Sequence, residues 1–531
     1  MVSEKQGKGI NLSHHLSDLS RARPVSALKG LARYMGKPGL IALAGGMPHP
    51  DYFPYADVSA NALAADNYSL QVTQQDASVS WFWKLFGSPS KQKTMPISVP
   101  KYTSKASDVN LATALQYGTA QGLIALQDFT KEFIERVYQP AYSDWTLLIS
   151  TGNTDGLSRA FQTLCNPGEF FITEEWTYPS ALASSSPYNI RPVAVEMDGE
   201  GMRSDALRKL LSEWDETARG AKRPHVMYTV PVGQNPSGAT MGLERKKEIY
   251  DICVEFDVII VEDDPYYFLQ QGAYEPKDVR STRSLPTDAS EWLATLEPSY
   301  LKVDHQGRVI RLDTFSKTIA PGSRLGYFTC NPVFAERLER QGETTTQAPC
   351  GFGQSLVTQL LKSWGQDGYV RWLQGLAVQY KTRRDFIIDC FAEEFHLRSS
   401  LGTHGVWNGL EVYDLYAKPP ADASGLEKFN FGSKLISFVP PTSGMFIWMK
   451  VDFTNHPSFK EGDEETLEMR LWTELAEAGV LIAPGWMFSA TGANLAAREG
   501  HFRISFSNAD LDTMKKAIGI FGKVFRDFFK Q

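Results

Sequence analysis

Cysteine is scarce in this sequence, with 5 in 531 residues at positions 165, 253, 330, 350 and 390, none in a Cys-x-x-Cys pair. An odd number of widely spaced cysteines excludes a disulfide-framed secreted module and predicts a reducing, cytoplasmic setting. Long apolar runs are missing as well. Nothing approaches the roughly 18 residues of a spanning helix, and Met1 to Leu12 is polar, so neither a membrane anchor nor a secretory leader is expected. Arg21, Arg23 and Ser26 leave a matrix-targeted precursor as the alternative. There is no excess of positive charge: 54 Lys+Arg against 61 Asp+Glu give −7, which argues against a nucleic-acid or anionic-membrane surface. Low-complexity tracts and internal repeats are also absent. What remains is a globular composition of ordinary Gly and Pro content, with a 12% aromatic fraction that includes 12 Trp. At about 150 residues per domain the length suggests two to four domains, large enough to fold without disulfide or metal staples. No metal site is expected.

From Asp144 to about Thr329 short apolar runs alternate with helix-period segments, the pattern of a mostly parallel sheet covered on both faces. Strands are expected at Trp145–Ser150, Phe170–Thr173, Pro192–Glu196, His225–Val230, Val258–Val261, Val309–Leu312 and Leu325–Thr329, with helices at Thr154–Leu164 and Met241–Phe256. Beyond a long helical stretch, Tyr369–Phe395, the pattern becomes α+β. Strands are expected at Gly444–Met449, Val480–Ala483 and Phe502–Phe506, and helices at Leu467–Ala478 and Asp510–Phe529. The expected division is an N-terminal segment 1–50, a large α/β domain 51–370 and a small α+β domain 371–531. Ser69–Val109, polar apart from Trp81-Phe82-Trp83, and Gln271–Gly307 lack core periodicity and are expected to be inserted surface loops.

The residues that carry chemistry cluster at predicted strand ends. Val309–Leu312 runs into Asp313-Thr-Phe-Ser-Lys317, followed by Ala320-Pro-Gly-Ser-Arg324. A lysine after a buried strand is placed to form a Schiff base with an aldehyde cofactor. Thr314, Ser316 and Arg324 supply the hydroxyls and forked cation that a phosphate dianion requires. Val258–Val261 ends in Glu262-Asp-Asp-Pro-Tyr-Tyr-Phe268, where a carboxylate could keep a pyridine nitrogen protonated. His225–Val230 leads to Asn235-Pro-Ser-Gly238, a turn formula at a third strand end. Trp145–Ser150 leads to Thr151-Gly-Asn-Thr154 and a helix N-terminus, whose free N–H groups suit an anion.

These motifs resemble the fold-type I pyridoxal-phosphate aminotransferases, and within them the fungal aromatic-amino-acid and α-aminoadipate (kynurenine) aminotransferase group, from Asn11 to the C-terminus. The resemblance implies pyridoxal 5′-phosphate as cofactor, held on Lys317, which also shuttles the proton. Asp264 is similar to the partner of the pyridinium nitrogen, Tyr267 and Asn235 to the partners of the ring hydroxyl, and Tyr178 to the aromatic stacked on the ring. Asn153, Thr154, Thr314, Ser316 and Arg324 resemble the phosphate cup. Arg503, in His-Phe-Arg-Ile-Ser, resembles the arginine that grips the substrate carboxylate; Gly45-Gly46 resembles the segment folded over the pocket. Tyr117 resembles a tyrosine reaching the partner subunit's phosphate, which implies a homodimer with shared sites.

The chain departs from the family in two places. Asn153-Thr154 stands where close relatives often carry Ser-Gln, and Val25-Ser-Ala-Leu-Lys29 where some carry an arginine, so that either Lys29 substitutes for it or the pocket leans toward apolar side chains. The expected reaction is ping-pong transamination of Trp, Phe or Tyr with a 2-oxo acid such as 2-oxoglutarate. α-Aminoadipate and kynurenine are alternative donors. A lyase on the same scaffold and a cofactor-sensing transcription factor are the rivals of other kinds. An N-terminal extension of about forty residues, not basic overall, is too short for the winged helix that the transcription factor needs.

Overall fold

The computed structural model describes residues 7–26, 39, 41, 43, 46–71, 92–105, 107–280, 285–418, 434–460, 464–492 and 499–530. Lys29, Gly45 and Trp81-Phe82-Trp83 lie outside the described residues.

All seven strands expected between Asp144 and Thr329 form one sheet. They are β1 (Thr146–Ser150), β2 (Phe170–Glu174), β3 (Arg191–Val195), β4 (Val226–Thr229), β5 (Ile259–Asp263), β6 (Val309–Thr314) and β7 (Gly326–Cys330). Their order is β1-β7-β6-β5-β4-β2-β3. Every pairing is parallel except those of β7, which runs antiparallel to both β6 and β1. Two faces must be covered, and the alternation along β5 and β6 serves both. Ile259, Val261, Ile310 and Leu312 enter one core, whereas Ile260 and Val309 enter the other.

Helix α1 (Asn153–Leu164) buries Leu157, Ala160, Phe161 and Leu164 on the first face. Gly156 lets it lie close: a Cβ there would stand 3.2 Å from Leu312 Cδ2. Helix α2 (Leu243–Glu255) covers the second face with Ile249 and Ile252. The long helix α3 (Gly351–Glu394) serves both cores, and it is broken at Gly365, whose φ of 68° suits a residue without a side chain. Its first half gives Leu361, Tyr369 and Trp372 to the second core, and its second half gives Ile387 and Phe391 to the first.

The C-terminal part is an antiparallel sheet of six strands in the order β8-β9-β10-β11-β13-β12. The strands are β8 (His396–Leu401), β9 (Glu411–Tyr416), β10 (Lys434–Phe438), β11 (Phe446–Asp452), β12 (Ala483–Pro484) and β13 (Glu499–Ser505). Helix α4 (Leu511–Phe528) packs Ile518, Phe521 and Phe525 against it and α3. The sequence pattern misses β8, β9 and β10.

Two stretches expected to be surface loops are partly packed. Thr94–Pro100 pairs antiparallel with Asp57–Leu63, burying Ile97 and Val99. Ala289–Ala294 is a helix that buries Trp292, and Tyr300 and Leu301 are buried just after it. Single apolar anchors among polar residues hold both, a pattern with no periodicity to detect.

Candidate active site

A cavity of about 180 Å³ opens at the carboxyl edge of the sheet. Its phosphate-sized end is built by α1 and the β6–β7 turn. Helix α1 starts directly after β1, and no side chain caps its first N–H groups, because the capping position is Gly152. Gly152 has φ 108°, and a Cβ there would lie 2.9 Å from Arg324 Nη2, so only glycine lets this arginine approach the helix start. Arg324 is itself in the left-handed region, at φ 47°, and is held by Nη1 donating to Pro321 O at 3.0 Å. Thr314 Oγ1 lies 2.9 Å from Ser316 Oγ, and both residues line the cavity with Thr154 and Lys317. Uncapped N–H groups, hydroxyls and a guanidinium form a donor set suited to a phosphate dianion.

In the middle of the cavity stands Asp263, at the end of β5. Its Oδ1 accepts from Asn153 Nδ2 at 2.6 Å and its Oδ2 from Tyr228 Oη at 2.9 Å. Burial pushes its pKa up to about 6, although both donors pull it down. An acid held at a carboxylate's geometry and bonded to neutral donors among the described residues fits a protonated pyridine nitrogen. Tyr178 and Tyr266 line the same space, and burial raises the Tyr266 phenol above its ordinary range. Lys317 is half-buried. Burial, and then the nearby Arg503 guanidinium, lower its ammonium pKa, favouring the neutral amine that attacks an aldehyde.

At the far end Arg503 projects from β13. Its guanidinium carbon lies 4.1 Å from the ring centroid of Phe446 and 4.7 Å from that of Phe488. Nη1 donates to Asn235 Oδ1 at 2.6 Å, and Nε is buried without a partner. Such a fixed, incompletely bonded fork is shaped for a carboxylate.

The site residues read from the sequence fall into three groups. Lys317, Asn153, Thr154, Tyr178, Asn235, Thr314, Ser316 and Arg324 line the cavity, and Arg503 is bonded to one of them. Asp264 and Tyr267 do not line it; Asp263 and Tyr266 stand there instead. The reason is parity along β5. Asp263 shares the face of Ile259 and Val261, whereas Asp264 follows Glu262 and Ile260 to the opposite face, where its Oδ2 accepts from Arg311 Nη1 at 3.0 Å. Tyr267 goes the same way, edge-on to Tyr138 at 5.0 Å and with the Arg311 guanidinium 4.9 Å from its centroid. Tyr117 and Gly46 are exposed and lie outside the cavity lining of the single chain. The sequence does not single out Tyr266, Val230 or Leu157, and it offers Asp263 only as the alternative to Asp264; for Asp263 and Tyr266 the strand parity carried by the apolar residues of β5 is the available signal.

This geometry is that of a fold-type I pyridoxal-phosphate enzyme. Residues 91–412 match the family Aminotransferase class I and II, and the chain belongs to that family. It is similar to an aromatic amino acid aminotransferase of Schizosaccharomyces pombe, 35% identical over 525 residues that cover 98% of each chain. It is also similar to an L-tyrosine:2-oxoglutarate aminotransferase of Serpula lacrymans var. lacrymans, 30% identical over 567 residues and covering 99% of this chain and 98% of the other. The crystal structure of the aminotransferase Aro8 from Candida albicans superposes with a TM-score of 0.80 at 32% identity, covering 99% of this chain and 100% of that one. The protein is therefore an aminotransferase that uses pyridoxal 5′-phosphate.

Proposed function

We propose that this aminotransferase moves the amino group of aromatic L-amino acids to 2-oxoglutarate, in the cytosol and as a homodimer. The observation that carries the substrate reading is Arg503, a carboxylate-binding fork set against the rings of Phe446 and Phe488, so that an aromatic side chain entering beside it meets rings. The names of the similar proteins support the same donors and acceptor.

When bound, pyridoxal 5′-phosphate supplies a protonated ring that weakens the substrate Cα–H bond. Lys317 Nζ would hold the cofactor's aldehyde carbon and, as a free amine, would take up the proton of substrate Cα. Asp263 would keep the ring nitrogen protonated, Tyr266 and Asn235 would serve the ring hydroxyl, and Tyr178 would pack on the ring. Thr154, Ser316, Thr314, Arg324 and the α1 N–H groups hold the phosphate. Arg503 and Asn235 fix the substrate carboxylate, and so the direction in which Cα–H points. Residues 51–370 would thus hold the cofactor, and 371–531 would deliver Arg503. Tyr117, 61% exposed in the single chain, reaches the phosphate of the other subunit. The free cysteines, four of them buried, suit a reducing compartment.

The test is a single-turnover screen of amino acids against the holoenzyme, read by the cofactor's absorbance. Trp, Phe and Tyr are expected to react fastest. Faster reaction of α-aminoadipate or kynurenine would replace the aromatic reading, and release of ammonia or carbon dioxide in place of a 2-oxo acid would replace transamination.

A further inference from the structure

The opposite edge of the seven-stranded sheet holds a second concentration of ionisable side chains, which transamination leaves unused. His14 and His15 end a short 3-10 turn, Ser13–His15. Asp257 lies in the turn between α2 and β5, His225 immediately precedes β4, and Glu169 immediately precedes β2. His14 Nε2 stands 2.7 Å from Asp257 Oδ2, and His15 Nε2 stands 3.0 Å from Asp257 Oδ1. On its other side, buried His15 places Nδ1 3.0 Å from His225 Nδ1, and His225 Nε2 is 3.5 Å from Glu169 Oε2. The rings of His15 and His225 are stacked with centroids 5.1 Å apart.

Counting protons exposes a deficit. The line Asp257, His15, His225, Glu169 contains three polar gaps, and each needs one hydrogen. A neutral imidazole carries one N–H, so two rings fill two gaps. If His225 donates to Glu169 and His15 donates to His225, the lone pair of His15 Nε2 is turned on a carboxylate oxygen 3.0 Å away.

We propose that His14, His15 and Asp257 bind one divalent transition-metal ion, for which zinc suits the ligand set. Their ligating atoms all lie within 4.8 Å of one another. Zinc ligands bonded at about 2.0–2.1 Å stand roughly 3.3 Å apart, so His14 Nε2 and Asp257 Oδ2, 2.7 Å apart here, need to open by about 0.6 Å to share an ion. With the ion on His15 Nε2 every gap is filled by neutral rings: His15 Nδ1–H donates to His225, and His225 Nε2–H donates to Glu169. That line is the outer shell which orients a ligating histidine. Asp257 is prepared from behind. Arg308 Nη1 donates to its Oδ1 at 2.7 Å and leaves Oδ2 for the ion. His14 is more than half exposed, and water would complete four-coordination. The ion would pin residues 13–15 to the turns that begin β4 and β5, at the edge of the sheet away from the cofactor.

The test is calorimetric titration of chelator-treated holoenzyme with zinc chloride at pH 7.5, with thermal melting alongside. One zinc per chain and a raised melting temperature are expected. His14→Ala removes a half-exposed side chain, so the variant should fold and turn over normally while losing this binding step. His225→Gln should weaken zinc by about 10- to 100-fold. The His14→Ala titration also serves as the blank for zinc taken up by thiols or cofactor. Binding of equal stoichiometry and affinity in His14→Ala would overturn the proposal. So would a melting temperature that falls as pH rises through 6–7 and ignores zinc, which would mean that a third proton fills the gap.

Discussion

The two faces of strand β5 carry carboxylates in opposite circumstances. On the face away from the cavity Glu262 and Asp264 meet Arg311, at 3.1 and 3.0 Å, and Asp313 meets the same guanidinium at 2.8 Å. Tyr138 Oη donates to Asp313, and Ser299 Oγ and the Tyr300 N–H donate to Glu262, while Asp264 Oδ1 is left without a partner. On the cavity face Asp263 has donors but no cation, and Arg503 has an unpartnered Nε. One layer spends its charges on each other; the other keeps them for molecules that arrive from outside. Neighbouring acids in one Glu-Asp-Asp sequence are thus separated into structure and chemistry by strand parity alone.

Substitutions can break that contrast at either layer. The largest expected effect is Lys317→Ala, which removes covalent anchoring and proton transfer together. Turnover should fall by several orders of magnitude while the melting temperature changes little, as steady-state rates and calorimetry will show. Arg311→Leu is its mirror image. It strands three buried carboxylates and should cost about 3–5 kcal/mol of stability, visible as a lowered denaturation midpoint before any kinetic assay. Asp263→Asn against Asp264→Asn sharpens the comparison within a single dipeptide. The first should slow single-turnover Cα deprotonation by about 10²–10³-fold. The second should leave that rate near the parent value and lower the melting temperature; equal rates in the two variants would mean that both acids serve the ring.

A smaller and pH-dependent effect is expected at Glu174, fully buried with Oε1 accepting from Thr229 Oγ1 at 2.5 Å. Burial raises its pKa from 4.5 to about 7. Stability from the neutral form is therefore complete below about pH 4.5 and is lost as pH rises through about 7. Glu174→Gln should stabilise the protein at pH 8, by on the order of 3 kcal/mol, and change little at pH 4. Melting temperatures measured across that range will decide.

The same contrast marks where the sequence was legible. The seven strands of the large sheet announce themselves because they are buried on both faces, and the lysine–arginine segment is unmistakable because its spacing lies within one hairpin. The sequence alone does not choose between two acids because Asp-x-x-Tyr occurs twice in register, as Asp263 with Tyr266 and as Asp264 with Tyr267. Only the alternation of Ile259, Ile260 and Val261 between two cores distinguishes them. β8 escaped notice because it is an edge strand whose last four residues are exposed. The histidine cluster was invisible because His14, Asp257, His225 and Glu169 come from four separate turns, assembled only by the sheet.

The pairing of β7 between β1 and β6 also sets a timetable for biosynthesis. Once Cys330 has been translated, every cofactor-contacting group inferred within the single chain already exists, from Gly152 to Arg324. Arg503 lies 503 − 330 = 173 residues further on, about 9–35 s of translation at some 5–20 residues per second. The ribosome thus completes the part of the site meant for the vitamin-derived cofactor well before the part that recognises an amino acid.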